Sequence, residues 1–470
     1  MRQPKTQRLI FAFLGAALLI ASGEMACQRS GPEPKPPVAE KIRQEFQEFG
    51  KTRVDNYYWL RERENPKVIE YLKAENDYLK AVLKPTEPLQ EKLYREIIGR
   101  IQPTDMTVPY RKNGYYYYAR FEEGKEYPVY CRKKDSLDAP EEVMLDGNAM
   151  AEAQPFFSLI GLEVSPDNTL LAYAVDTVSR RLYRQHFKNL VSGEILPDEI
   201  PNTLGMSAWA NDNKTVFYVQ KDVDTLRPFR VMRHVLGTPA SEDVEVFMES
   251  DDAFTLSVYK SKSTKYVVIA SESTLSTELG LLDADRPNSE PKVVQPRERG
   301  LEYEVEHFRD KLYIRTNYQA KNFRLMETPI DKTGKENWVE IIPHRDDVLL
   351  EGFEIFDDDL VVEERKGGLT RIRVIAWRDK TEHSLDFEEA TYAASIGPNP
   401  EFGTEWLRVE YSSLKTPDST FDYNLRTREK KLLKQQKVLG GFDSSNYQTE
   451  RLYATAADGV KVPISLVYRK

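Results

Sequence analysis

Residues 166–174 read Pro166-Asp167-Asn168-Thr169-Leu170-Leu171-Ala172-Tyr173-Ala174, a polar turn followed directly by a short run of apolar and aromatic residues. Proline, aspartate and asparagine favour tight turns, and the residues after them fit a β-strand that is at least half buried. Lys112-Asn113-Gly114 precedes a similar strand at 115–119, and Asn211-Asp212-Asn213 precedes another at 216–219. The stretch is therefore one copy of a repeated unit.

This unit of turn and strand recurs along most of the chain. Seven such strands begin at residues 115, 170, 216, 266, 312, 360 and 406, so that successive units start about 46 to 55 residues apart. That period is close to the length of a propeller blade of four strands. A single such sheet cannot bury both of its faces, whereas sheets packed radially around a channel cover one another. The spacing favours an all-β fold, a seven-bladed β-propeller over residues 105–445, over a sandwich of unrelated hairpins.

The residues before the propeller have a helical period. Asn65-Pro66 is a typical pair for an N-cap and a first helical position, and apolar residues follow it at helical spacing. A second helix is predicted after Thr86, with Pro88 in its first turn. The pattern predicts a short α-helical N-terminal segment over residues 41–104, whose apolar faces need a neighbouring domain.

The first residues indicate export. Basic residues near the N-terminus precede an apolar run at 9–21 that is too short to span a bilayer comfortably, which is typical of a signal peptide. Met25-Ala26-Cys27 resembles a bacterial lipoprotein processing site, in which Cys27 would become the lipidated N-terminus. Glu24 stands where that pattern usually has leucine. Plain cleavage near Ala26 and an uncleaved anchor therefore remain open alternatives.

These signals give a predicted location. Residues 1–27 are predicted to be a signal peptide of the lipoprotein type, and the proline-rich residues 28–40 an extended tether. We expect an exported protein that is periplasmic, or membrane-anchored as a lipoprotein facing the periplasm. If Cys27 carries lipid, Cys131 is the only remaining thiol, so no intramolecular disulfide can form.

The charge balance limits the partners. The net charge is -9 at pH 7 and the pI is near 5.5, whereas nucleic-acid binding needs a basic surface. Nucleic acid is therefore not expected as a partner. A cationic peptide fits the acidic balance better.

The sequence contains no motif for catalysis or metal binding. A serine hydrolase of the α/β type needs a nucleophile turn such as Gly-x-Ser-x-Gly, and none occurs. The acidic pairs and triplet at 251–252, 346–347 and 357–359 lack the alternating spacing of a calcium loop and are interpreted as solvated turns. The histidines have no metal-ligand spacing and are interpreted as packed or surface residues: His186, His234, His307, His344 and His383. No catalytic, cofactor or metal site is predicted, which leaves Cys27 as the only candidate site residue.

Several stretches resemble one known family. Val54-Asp55-Asn56-Tyr57-Tyr58-Trp59-Leu60-Arg61 is similar to the opening signature of the prolyl oligopeptidase family, and it looks most like the oligopeptidase B branch, also called protease II. Supporting similarities lie at 71–76, 113–118, 127–132, 164–167, 450–455 and 458–468. Together they extend over nearly all of the chain from about residue 40.

The resemblance implies a propeller placed between an N-terminal helical segment and a C-terminal α/β-hydrolase domain that bears Ser, Asp and His. In this family the propeller admits short peptides and excludes folded proteins, and the oligopeptidase B branch cleaves after Arg or Lys. The implied function is the substrate-gating part of a serine-type endopeptidase. The implied partners are short basic peptides in the propeller channel and the hydrolase domain, and no cofactor is implied.

The last residues of the chain fit the expected order of domains. Residues 450–456 and 460–468 flank an Asp458-Gly459 turn and predict a hairpin, after which the chain stops at Lys470. We expect residues 446–470 to be the start of a hydrolase domain that is otherwise missing, so no family catalytic residue falls on this sequence and the chain alone should be inactive. The alternative function is an exported propeller that acts as a binding or scaffold module.

Overall fold

The structure, a computed structural model, describes residues 34–470. The predicted signal peptide with Cys27, and residues 28–33 of the predicted tether, lie outside the described residues. The chain divides into two units between Gly99 and Arg100. Within residues 34–470, no helix has both the length and the apolar character needed to cross a membrane. The segment boundaries predicted from the sequence stay predictions.

The N-terminal unit contains a hairpin and two helices. The hairpin consists of β1 (Gln44–Glu48) and β2 (Lys51–Asp55), and it was not predicted. Helix α1 (Pro66–Leu83) begins as the sequence indicates, because the Asn65 side chain accepts a hydrogen bond from the backbone N–H of Lys67. A 3₁₀ turn at Lys84–Thr86 connects it to α2 (Glu87–Ile98). A further short 3₁₀ helix covers Tyr58–Arg61.

The second unit consists of β-sheets in which neighbouring strands are antiparallel. Sheet 1 contains β3 (Asp105–Met106), β4 (Tyr110–Lys112), β5 (Tyr115–Phe121), β6 (Val129–Lys134) and β7 (Glu142–Asp146), and is followed by helix α3 (Gly147–Ala151). Sheet 2 contains β8 (Ser158–Val164), β9 (Leu170–Asp176), β10 (Tyr183–Asn189), β11 (Ile195–Trp209), β12 (Thr215–Lys221), β13 (Pro228–Val235) and β14 (Val244–Met248).

Four regular sheets of four strands follow. Sheet 3 contains β15 (Thr255–Lys260), β16 (Tyr266–Glu272), β17 (Thr277–Asp283) and β18 (Lys292–Val293), and sheet 4 contains β19 (Tyr303–Phe308), β20 (Lys311–Thr316), β21 (Arg324–Pro329) and β22 (Val339–Ile342). Sheet 5 contains β23 (Val348–Ile355), β24 (Asp359–Lys366), β25 (Leu369–Ala376) and β26 (Glu382–Ser384), and sheet 6 contains β27 (Ala393–Ile396), β28 (Trp406–Ser412), β29 (Ser419–Asn424) and β30 (Lys430–Gln435). A final hairpin pairs β31 (Tyr447–Thr455) with β32 (Lys461–Arg469), as predicted around Asp458-Gly459.

The predicted strands are all present. Each is the second strand of its unit, if β3 and β4, which both pair with β5, are counted as one interrupted first strand: β5, β9, β12, β16, β20, β24 and β28. The all-β propeller is therefore confirmed, but the count of seven separate blades is wrong for these sheets. In residues 100–470, five sheets are separate blades, and the second and third predicted units form one seven-stranded sheet.

Strand β11 is the physical reason for this difference. It is 15 residues long, and its first part pairs with β10 while its last part pairs with β12. The pairing with β12 shifts in register between Thr203 and Ser207, and Gly205 lies in that shift with a positive φ of 93°. The connection between these two units is thus a continuous bent strand instead of a loop.

The core lies between successive sheets. For example, Val268 and Leu281 of sheet 3 pack against Leu312 and Ile314 of sheet 4. Comparable apolar clusters lie between the other consecutive sheets and between the two halves of sheet 2. Burying the faces in pairs in this way is what stabilises a radial arrangement of sheets.

Sheets 6 and 1 meet through polar contacts. Lys434 Nζ lies 2.7 Å from Asp105 Oδ2, and Arg408 Nη1 donates a hydrogen bond of 3.1 Å to the Pro109 carbonyl. The same Arg408 is held by Asp422 at 2.6 Å. These contacts close the ring between the last sheet and the first, and we call this junction the seam.

Candidate functional site in the propeller channel

The turns that follow the first strands contact one another around the ring, which indicates that the first strand of each unit lies innermost. In β19, Tyr303 and Val305 are buried, whereas Glu304 is exposed and Glu306 is partly exposed. Successive side chains of a strand point to opposite sides, so one set packs between the sheets and the other set faces the channel. Strand β15 shows the same alternation, with Tyr259 on the accessible side.

One side of the channel carries a group of carboxylates around Tyr259. Glu272, Glu304 and Glu306 are the residues of this group, which we call the acidic wall; together with burial, which acts most strongly, their charges raise the pKa of Tyr259. Tyr259 is nevertheless 36% exposed. Tyr259 thus lies on the accessible side of β15, with three carboxylates near it.

Burial also raises the pKa values of the channel carboxylates Glu304 and Glu306. It raises the pKa of Glu304, against the effect of Arg315, whose Nη1 lies 3.6 Å away. It raises the pKa of Glu306 to about 7, although Glu306 Oε1 accepts hydrogen bonds from the backbone N–H groups of Lys262 and His307. Glu306 therefore changes charge near neutral pH.

The turns between the first and second strands form a ring at one end of the channel, which we call the turn end. Each turn is hydrogen-bonded to the turn of the next unit. The contacts are Asn113 to Pro166, Asp167 to Asn213, Asn211 to Thr264, Ser263 to His307, Arg309 to Asp357, Asp357 to Phe402, and Glu401 back to Arg111. The turns that were recognised in the sequence thus surround one mouth of the channel.

Lys262 crosses this mouth. It belongs to the turn of sheet 3, yet its Nζ donates hydrogen bonds of 2.5 Å to Glu354 Oε1 and 2.7 Å to the Ile355 carbonyl in sheet 5. The same Nζ lies 4.7 Å from the ring centres of Phe356 in sheet 5 and Phe402 in sheet 6. Sheet 4 lies between sheets 3 and 5 in the ring, so the Lys262 side chain links two sheets that are not neighbours.

The final hairpin lies at the opposite end of the channel. Thr391, just before β27, donates a hydrogen bond of 2.6 Å to Ser465 of β32, and Thr449 of β31 donates one of 3.2 Å to Glu389. Large apolar side chains of this hairpin are exposed, among them Leu452, Tyr453, Val462, Ile464 and Leu466. The opposite end therefore carries an exposed apolar surface.

The histidines are distributed over the sheets. His234 is fully buried, with Nδ1 2.7 Å from Asp243 and Nε2 3.2 Å from Asp198. The others lie apart: His186 stacks on Tyr173, His307 contacts Ser263, His344 lies 4.0 Å from Asp346, and His383 contacts the Tyr423 hydroxyl. Among the described residues, no three His, Cys, Asp or Glu side chains are grouped so that they could hold a metal ion.

The acidic pairs and triplet of the sequence lie in turns and ion pairs. Asp347 pairs with Lys366 at 2.9 Å, and Asp358 pairs with Arg426 at 2.5 Å.

The carboxylates that line the channel were not predicted. Lys262 and Glu354 are 92 residues apart, and no local sequence pattern connects them.

The family match and the curated relatives agree with this architecture. Residues 36–436 match the family described as "Prolyl oligopeptidase, N-terminal beta-propeller domain". The chain is 43% identical over 481 residues to dipeptidyl aminopeptidase BI of Pseudoxanthomonas mexicana, a match that covers 98% of this chain and 66% of that protein. It is 34% identical over 441 residues to protease 2 of Moraxella lacunata, which covers 92% and 63% of the two chains.

Solved structures show the same similarity. Oligopeptidase B from Leishmania major superposes with a TM-score of 0.84 at 32% identity, over 93% of this chain and 65% of that one. Oligopeptidase B from Trypanosoma brucei, in a closed form with covalently bound antipain, gives a TM-score of 0.83 at 31% identity, over 93% and 65% of the two chains. The chain thus spans just under two thirds of the length of these relatives.

Proposed function

This chain belongs to the prolyl oligopeptidase family, through the propeller domain of that family, and we propose that it forms the substrate-gating part of a serine-type oligopeptidase that cleaves short peptides. The observation that carries this proposal is the channel itself. It is enclosed by a closed ring of sheets, it is lined by partly desolvated carboxylates, and at one of its mouths the Lys262 side chain and the Phe308–Phe402 ring contact link sheets that are not neighbours.

Size selection follows from the turn end. A mouth that one lysine side chain can cross excludes a folded domain, which is about 30 Å across. The hydrogen-bonded ring of turns restricts widening of this mouth, because several contacts would have to break together. An extended peptide can enter the channel, whereas a folded protein cannot.

Charge selection follows from the acidic wall. Glu272, Glu304 and Glu306 lie near Tyr259 on one side of the channel, and a cationic peptide would be attracted there while an acidic one would be repelled. This supports a preference for peptides with Arg or Lys, and we propose cleavage after these residues.

Peptide binding to the chain tests this charge selection. The affinities of two labelled peptides that differ only in Arg against citrulline are measured by fluorescence anisotropy at low and high salt. The Arg peptide should bind more tightly, and the combined Glu304→Gln and Glu306→Gln substitutions should weaken it about tenfold, the factor given by the loss of about 1.4 kcal/mol. Glu194→Gln, an exposed carboxylate in the turn before β11, is the matched control. Equal affinity of the wild type for both peptides would contradict the proposal.

We propose that the bond-breaking chemistry is supplied by an α/β-hydrolase domain with Ser, His and Asp. The 470 residues contain no Gly-x-Ser-x-Gly turn, and the relatives are longer than this chain. Two apolar surfaces could pack on such a domain: the exposed face of α1 and α2, with Leu72, Leu79, Leu89 and Leu93, and the exposed hairpin β31–β32. The chain alone should not hydrolyse a fluorogenic Arg peptide, and turnover above the buffer background would contradict this.

A second specificity has one observation in its favour. The relative with 43% identity is named a dipeptidyl aminopeptidase, whereas protease 2 is 34% identical. Removal of dipeptides from a free N-terminus is therefore the second candidate for the complete enzyme. N-terminally blocked and unblocked Arg peptides separate the two, because only an endopeptidase cleaves the blocked peptide.

We also propose that the protein is exported and that Cys27 is lipidated, which places it at a membrane facing the periplasm. The basic residues near the N-terminus, the apolar run at 9–21 and Cys27 support this proposal. The wild type should fractionate with membranes and Cys27→Ser should not. Equal recovery of both in the soluble fraction would contradict lipid anchoring.

A further inference from the structure

The group that holds Lys262 has the composition of a binding site for an organic cation. One carboxylate oxygen of Glu354, the Ile355 carbonyl and the faces of Phe356 and Phe402 all contact a single ammonium group. Carboxylate and carbonyl oxygens accept its N–H donors, and aromatic faces attract its charge. We call these four groups the cation cage.

The cage and its occupant come from different parts of the ring. The cage belongs to sheets 5 and 6, whereas Lys262 enters from sheet 3 on a flexible side chain. The cage is therefore complete without Lys262, and the backbone need not move for the ammonium group to leave. Only 8% of the Lys262 side chain and 21% of the Glu354 side chain are exposed.

Burial opposes this occupancy. It lowers the pKa of Lys262 and raises the pKa of Glu354, and in both cases it outweighs the attraction between the two charges. A second cation delivered through the channel would meet the same cage, while the released Lys262 would regain water. When one cation replaces another, the cage therefore holds one positive charge both before and after the exchange.

We propose that the cation cage is a binding site for the Lys or Arg side chain of a peptide, which the protein occupies with its own Lys262. This inference rests on the proposed function, since it assumes that peptides use the channel. A cationic side chain displaces Lys262 from the cage, whereas a neutral or acidic peptide leaves Lys262 in place.

Emptying the cage gives the first test. Lys262→Ala removes the occupant, and Lys262→Met keeps a stem of similar length without the charge. The melting temperature of each variant is followed against n-butylammonium chloride, with sodium chloride and n-butanol as controls. Lys262→Ala should show a saturable rise with n-butylammonium only. The wild type should show a weaker rise at higher concentrations, because Lys262 has to be displaced first, and Lys262→Met should show none. Adding Glu354→Gln to Lys262→Ala should raise the half-saturating concentration about tenfold or more, because the attraction between the ammonium group and the carboxylate charge is lost.

Displacement in the wild-type chain gives a second test that needs no variant. The rate at which an acylating reagent modifies Lys262 is measured by mass spectrometry, relative to the exposed Lys125. N-acetyl-arginine amide should raise the Lys262 rate several-fold, and N-acetyl-citrulline amide should not. An unchanged rate, or an equal response of Lys262→Ala with and without Glu354→Gln, would overturn the proposal. Neither readout depends on hydrolysis, so the cage can be confirmed even if the proposed peptidase function fails.

Discussion

The bend in β11 depends on two glycines that face each other. Gly161 of β8 and Gly205 of β11 both have positive φ, and a Cβ built on Gly161 would lie 1.7 Å from the Gly205 carbonyl oxygen. Gly161→Ala should therefore be severely destabilising. Gly193→Ala is the matched control, because Gly193 also has a positive φ of 79° but has no atom within 4 Å of the added Cβ.

The magnitudes follow from these geometries. Both alanines take the left-handed conformation, which costs about 1–2 kcal/mol. Gly161→Ala must in addition move β8 and β11 apart where they approach closely, and such overpacking costs about 1–3 kcal/mol more. The expected loss is about 2–5 kcal/mol for Gly161→Ala and about 1–2 kcal/mol for Gly193→Ala.

The assay is urea unfolding of the propeller. Tryptophan fluorescence reports it directly, since Trp209 lies in β11 itself. Gly161→Ala should lower the midpoint clearly more than Gly193→Ala, with similar slopes. Equal midpoints for the two variants would refute the close approach of β8 and β11.

Three further outcomes are expected. Burial alone would lower the pKa of His234, but Asp243 and Asp198 raise it. The contribution of protonated His234 to stability is therefore present below the unfolded pKa and is lost as pH rises through the raised folded pKa. His234→Gln should remove this pH dependence of the unfolding free energy, measured by urea titrations between those two pKa values. The pKa of Glu306 is raised from 4.5 to about 7, so the free energy of unfolding falls by up to about 3 kcal/mol as pH rises from about 4.5 to 7. Glu306→Gln should flatten this part of the plot of unfolding free energy against pH. Arg408→Ala removes a mostly buried arginine from the seam and should cost about 1–3 kcal/mol in chemical unfolding, whereas a loss below about 0.5 kcal/mol would show that the seam does not depend on it.

The sequence predicted the local elements well, because their signals are local. The polar turns, the strands after them, the Asn65-Pro66 helix start and the last hairpin all lie where residue preferences place them. The sequence did not predict the long strand β11, because it contains Pro197, Pro201 and Gly205, which disfavour strands. Pairing with the neighbouring strands β10 and β12 overrides this local preference.

The channel could not be predicted in the same way. Glu306 and Lys262 look like ordinary polar residues of a strand and a turn, and their environment arises only when distant sheets meet around the axis. Their raised and lowered pKa values are consequences of that enclosure. Local pattern thus indicates the repeated unit, whereas ring closure creates the site.

The central claim is that peptides bind inside the channel and not on the outer strands. An Arg peptide that carries a photoactivatable cross-linker, incubated with the chain, irradiated and mapped by mass spectrometry, tests this directly. The labels are predicted to fall on the innermost strands β15 (Thr255–Lys260) and β19 (Tyr303–Phe308) and to diminish with excess unlabelled peptide. Competable labels confined to outer strands such as β18 (Lys292–Val293) or β22 (Val339–Ile342) would contradict the claim.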